Sequence, residues 1–214
     1  MNHIIKHTII QLANGHRVYW YGKTRKREVA LTFDDGPDEN ITPLILDILE
    51  KAEAKATFFV IGEKLVNNAG IIRRIVENGH DIGNHTYSHQ STHDLCWGTL
   101  QKELIKTDEL LHKISGGTIK YFRPPKGECS FLGLLRCVLS CPKKIIFWDV
   151  DPKDYKTLSW QEIITNLHRE PIKKGSIILL HDRCMQTAMA LPDIIQFLRR
   201  AGFRLVTLSE LLGE

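Results

Sequence analysis

Val29-Ala30-Leu31-Thr32-Phe33-Asp34-Asp35-Gly36-Pro37 is an apolar, β-prone run that stops on two carboxylates and a turn. Comparable runs recur downstream at 56–61, 80–83, 119–122, 145–148, 176–180 and 203–206. Helical spacing fills the gaps between them. Thr42 as an N-cap and Pro43 at the first helical position lead into Leu44, Ile45, Ile48 and Leu49. Ile71, Ile72, Ile75 and Val76 precede Gly79, and Leu100, Leu104, Leu111 and Ile114 precede Gly116. Within 188–201, Leu191, Ile194, Ile195 and Leu198 precede Gly202, so each glycine stands where a left-handed helix cap is wanted. Ser159 with Glu162 reads as a capping box. Strands alternating with helices predict an α/β fold, a parallel sheet covered by helices, either closed into a barrel or open and doubly wound. No glycine-rich nucleotide fingerprint follows the first strand, which favours the barrel.

The chain has 214 residues, 43% hydrophobic and 25% charged, which suits one globular domain and excludes disorder, collagen and coiled coil. Its 29 Lys and Arg against 25 Asp and Glu leave a formal charge of +4, too slight for a nucleic-acid footprint. No stretch reaches the roughly 18 apolar residues of a membrane span. Lys6, His7 and Thr8 interrupt the apolar start, so no secretory signal is read and the expected location is the cytoplasm. Residues 1–28 read as a leader ending in Lys23, Arg25, Lys26 and Arg27, and the domain proper is expected over 29–214. Ile4, Ile5, Ile9 and Leu12 beside that basic run suit peripheral contact with anionic lipid. Cys96, Cys129, Cys137, Cys141 and Cys184 form an odd set without a CxxC pair, read as reduced thiols. These residues encode no oligomeric state.

Polar groups gather just past the expected strand ends: Asp34 and Asp35, His85 and His89, Arg123, Asp149, Asp151 and Asp154, and His181 with Asp182. In a barrel, that is the face that carries active sites. Asp-Asp-Gly-Pro by itself is a turn. At the end of a buried strand, however, two adjacent carboxylates need a cation to stay ionised. His85 and His89, four apart, would present two imidazoles from one side of a helical turn, with Asp35 completing three ligands for zinc. His93 extends the spacing but lies further into the loop. Such an ion would acidify water and polarise a carbonyl oxygen, leaving Asp34 as general base. Arg123 would pair with Asp34, either as an orienting partner or as a surface ion pair worth under about 1 kcal/mol. His181 would protonate a leaving amine, with Asp154 orienting it.

Leu31-Thr32-Phe33-Asp34-Asp35-Gly36-Pro37 resembles the first motif of the polysaccharide deacetylases, carbohydrate esterase family four. Asn84-His85-Thr86-Tyr87-Ser88-His89 resembles the second motif, Arg123-Pro124-Pro125-Lys126-Gly127 the third, 148–155 the fourth and Leu179-Leu180-His181 the fifth. The resemblance implies a distorted seven-stranded (β/α) barrel and metal-dependent removal of N-acetyl groups from an N-acetylated oligo- or polysaccharide, releasing acetate. It implies Asp35, His85 and His89 as ligands of Zn2+ or another divalent cation such as Co2+. Asp34 becomes the base, Arg123 its orienting partner, His181 the acid and Asp154 its support. Pro125, Lys126, Trp148, Tyr155 and Leu179 fall in the substrate-binding positions, with the Lys126 backbone N–H at the oxyanion. Lys126 stands where the family usually has tyrosine, making the wall beside the acetyl group longer and cationic, and Tyr155 replaces the usual tryptophan. Length and the unread export signal resemble the nodulation-type chito-oligosaccharide deacetylases. Two further readings compete: a non-catalytic glycan-binding protein on the same fold, and an amidase acting on a non-sugar amide.

Overall fold

The structure is a computed structural model that describes residues 17–92, 94–127 and 131–214, with only the backbone of 131 and 132. Ile4, Ile5, Ile9 and Leu12, the interrupted start, His93 and Cys129 lie outside the described residues. The strands are β1 (Val18–Tyr19), β2 (Glu28–Gly36), β3 (Ala56–Val60), β4 (Asp81–Asn84), β5 (Tyr121–Phe122), β6 (Lys144–Ile146), β7 (Ile177–His181) and β8 (Arg204–Leu205). The helices are α1 (Ile41–Lys51), α2 (Ala69–Glu77), α3 (Trp97–Ser115), α4 (Phe131–Ser140), α5 (Trp160–Arg169), α6 (Met185–Arg200) and α7 (Leu208–Leu212).

All strand pairs are parallel, in the order β1-β6-β5-β4-β3-β2-β7, with β8 joined to the start of β2. The two ends of that path meet through single bridges rather than a full ladder. Leu179 N–H donates to Val150 O at 3.0 Å, and Gly22 N–H donates to Gly175 O at 2.8 Å. The sheet therefore curls into a distorted barrel whose two ends are bridged but not laddered. Its path has seven strands, as expected, although the membership differs: β1 belongs to it, and β8 stands off it. The sheet thus begins ahead of the expected boundary near residue 28, because Val18 and Tyr19 pair with Ile145 and Ile146, and Trp20 stacks on Phe147 at 5.0 Å.

Period-two alternation along β2 sets the layers. Val29, Leu31 and Phe33 pack outward with Ile45, Leu46 and Leu49 of α1 and Leu191, Ile194 and Leu198 of α6. Thr32 and Asp34 take the other face, toward the barrel axis, where both accept hydrogen bonds from Arg123. Gly79, Gly116 and Gly202 all adopt positive φ just past their helices, as their caps require. Thr42 is not the N-cap. Asn40 takes the cap position and Asp38 Oδ1 accepts the Asn40 and Ile41 N–H groups, so α1 starts two residues earlier. The Thr42 hydroxyl turns inward and donates to Asp182 Oδ2 at 2.7 Å. Among the described residues, no helix is long and apolar enough to cross a membrane.

Candidate active site

Neighbouring residues of a regular strand point to opposite faces, so Asp34 and Asp35 need a break in the ladder to converge. The structure supplies one. Asp34 pairs with Phe59 and Gly36 with Val60, leaving Asp35 as an extra, bulged residue at φ 73°. Lys64 Nζ fixes the bulge by donating to Asp35 O at 2.7 Å. Gly36 is required because a Cβ there would sit 2.0 Å from Asp182 Oδ2. On the other side of β2 the parallel register sets Asp34 beside His181.

The two histidines do not share a helical turn. They stand in an irregular loop after β4, with Thr86 and His89 at positive φ. The loop folds around Glu103 of α3, whose Oε2 accepts from Tyr87 N, Ser88 N and Ser88 Oγ. Asn84 Oδ1 accepts the Thr86 N–H at 2.8 Å. That folding aims both Nε2 atoms at Asp35 Oδ1, His89 at 2.9 Å and His85 at 3.4 Å. His85 Nδ1–H donates to Arg123 O at 2.8 Å, which fixes the tautomer and leaves Nε2 as a lone-pair donor. One oxygen and two imidazole nitrogens lie within 4.8 Å of one another, a donor set that fits a divalent metal with room for further ligands. Burial works against ionisation of Asp35, but in the metal-free protein hydrogen bonds from His85 and His89 and the charge of His85 and His181 outweigh it and hold the carboxyl far below the usual range. Its second oxygen accepts from Arg183 Nε at 2.7 Å.

Asp34 is gripped from the barrel interior. Arg123, fully buried, donates from Nη1 to Asp34 Oδ1 at 2.7 Å and to Thr32 Oγ1 at 2.8 Å. Its Nε and Nη2 donate to Ile146 O and Phe147 O, both at 3.1 Å, and its guanidinium lies 4.2 Å from the Phe59 ring. The reading of this pair as a surface ion pair is therefore overturned. Burial pushes the guanidinium pKa down while Asp34 works to raise it. Asp34 Oδ2 is left facing His85 Nε2 at 3.8 Å.

His181 Nδ1–H donates to Asp154 Oδ1 at 2.8 Å. Asp154 Oδ2 accepts from His181 N and from Thr187 Oγ1, each at 2.7 Å, so the carboxylate cannot rotate away. Burial opposes protonation of His181, but Asp154, Asp34 and Asp35 together push its pKa above the ordinary value. Asp182, next in sequence, is buried under Gly36 and Thr42, and burial raises its carboxyl to about 7.

These groups open into a pocket of about 350 Å³ lined by Asp34, Asp35, His85, His89, Lys126, Trp148, Tyr155, Leu179 and His181, joined by Gly127, Lys156 and Arg183. Pro125 is buried outside that lining. Asp149 and Asp151 do not reach the pocket. Asp149 accepts from Ile177 N and Ser176 Oγ, and Asp151 pairs with Lys153. Glu103, Lys64, Thr187 and Arg183 are the supporting residues that the sequence reading does not contain, since each acts through a partner distant in sequence.

A family model described as polysaccharide deacetylase matches residues 21–132. A peptidoglycan-N-acetylglucosamine deacetylase of Bacillus cereus is 39% identical over 194 residues, 89% of this chain and 70% of that protein. A Bacillus subtilis peptidoglycan-N-acetylmuramic acid deacetylase, PdaC, is 34% identical over 96% of this chain, which spans 42% of its length. The crystal structure of the Bc1960 peptidoglycan N-acetylglucosamine deacetylase superimposes with a TM-score of 0.85 at 37% identity, covering 92% of this chain and 93% of that one.

Proposed function

The chain belongs to the polysaccharide deacetylase family, and from that premise we propose that Asp35, His85 and His89 hold zinc, or another divalent ion such as cobalt, beside a proton-transfer pair of Asp34 and His181. The reaction is metal-dependent hydrolysis of the N-acetyl group on N-acetylglucosamine-type residues of an oligo- or polysaccharide. When bound, the ion supplies Lewis acidity, polarising the acetyl carbonyl oxygen and acidifying water. Asp34 takes the proton from the attacking water through Oδ2, because Oδ1 is committed to Arg123. The Lys126 backbone N–H helps hold the developing oxyanion. As the C–N bond breaks, His181 Nε2 protonates the departing amine, and Asp154 keeps the imidazole in the tautomer and orientation this needs. Trp148 and Leu179 wall the space for the acetyl methyl group, and the Tyr155 ring lies 5.1 Å from that of His181.

One observation carries this reading: Asp35 Oδ1 faces both imidazole Nε2 atoms while Asp34, one residue earlier, keeps an oxygen free of its arginine. A complete set of ligands, base and acid favours catalysis over a binding-only module. Acetate release from N-acetylglucosamine oligomers of several lengths, with and without chelator, tests it. Release that chelator stops supports the reading. Binding of the oligomers without release under saturating zinc or cobalt contradicts it, and release only from acetylated peptides assigns the site to an amidase.

A further inference from the structure

Three cationic side chains line the pocket, and a neutral acetamide gives none of them a partner. Arg183 is matched by Asp35, and Arg123 beneath the floor matches Asp34. Among the described residues, the Lys126 and Lys156 ammonium groups have no carboxylate partner. A divalent ion adds further positive charge to the same space. The lysines come from different loops. Lys126 follows β5, and its backbone sits at φ 61° and ψ 7°, a left-handed conformation that favours glycine or asparagine. Beside it, Gly127 packs against Trp148 so closely that a Cβ would lie 2.3 Å from the ring. Lys156 follows β6, its ammonium 5.4 Å from the Tyr155 ring, which in turn packs edge-on against His181.

We propose that Lys126 and Lys156 form an anion subsite at the mouth of the pocket, so that the preferred substrate is an N-acetylated sugar bearing a carboxylate or phosphate beside its acetamide. This rests on the deacetylase reading and adds to it the charge class of the substrate. Two exposed ammonium groups at the rim of a pocket that gains further positive charge when a metal is bound select for charge by attracting an anionic sugar and opposing none. Arg183 contributes to the field while holding Asp35. A lysine that is merely a solvated rim charge predicts no dependence on the substrate's charge.

The test compares acetate release by the zinc-loaded protein from a neutral N-acetylglucosamine oligomer, from one carrying a carboxylate ether, and from an N-acetylated aminosugar phosphate. The wild-type protein is expected to show kcat/KM about tenfold higher for at least one anionic sugar than for the neutral one. K126M and K156M, which keep side-chain length and lose charge, should each cut that ratio by about threefold or more, chiefly through KM. Rising ionic strength should narrow it as well. Whichever anionic arm is preferred identifies carboxylate or phosphate. Equal efficiency on all three sugars, or variants that leave the ratio where it was, overturns the anion subsite and leaves the deacetylase reading standing. Release from none of them overturns both.

Discussion

Replacing Arg123 with methionine removes a buried cation that four acceptors share: Asp34 Oδ1, Thr32 Oγ1, Ile146 O and Phe147 O. The side chains of Arg123 and Asp34 are 0% and 5% exposed, so water does not take over the lost bonds. Breaking one partner out of a buried pair costs about 3–5 kcal/mol, because the other charge stays behind uncompensated. For a chain of this length that corresponds to a fall in melting temperature of roughly 6–20 °C. The assay is thermal unfolding of the wild type, R123M, D34N and the double variant. Since D34N removes the stranded charge, R123M should cost less in that background, with a coupling of about 2 kcal/mol. A loss below about 1 kcal/mol, or strict additivity, would match a solvent-screened ion pair and refute the interior salt bridge as the anchor of Asp34.

D34N should lower kcat by about 10²- to 10⁴-fold, as expected for loss of a general base, while zinc affinity measured by calorimetry stays near that of the wild type. Retained turnover would remove Asp34 from the mechanism. Because Asp154 raises the pKa of His181, D154N should shift the alkaline limb of the kcat/KM profile toward lower pH, the acid form being lost sooner; an unmoved limb refutes their coupling. The carboxyl of Asp182 rises from its ordinary value to about 7 through burial, so the folded protein binds its proton more tightly than the unfolded chain does. Its ionisation therefore costs stability as pH climbs through that interval. The melting advantage of D182N over wild type, in chelator, should grow between pH 5 and pH 8, and a flat difference contradicts the buried placement.

The strands that carry the site were legible because their apolar runs end on polar residues, and the register of β2 with β7 brings Asp34 and His181 together as that pattern implies. β1 escaped because two residues offer no periodicity, although Val18-Tyr19-Trp20-Tyr21 is rich in β-formers. Helix α4 was missed despite Leu134, Cys137, Val138 and Cys141 falling at helical spacing, a signal that was present. Local spacing misled at the histidines. Four residues apart fits a helical turn, yet Glu103 captures three donors of the loop and imposes left-handed residues instead. The bulge at Asp35 had no signature of its own, since its supports, Lys64 and Asp182, come from other segments. The same non-locality hid Arg183 and Thr187.

Anomalous scattering at the zinc absorption edge, collected from crystals soaked in zinc, tests the metal centre most directly. The account predicts one strong peak bonded to Asp35 Oδ1, His85 Nε2 and His89 Nε2, with Asp34 beside it and still held by Arg123. Absence of that peak, with the three side chains turned away from one another, would contradict it.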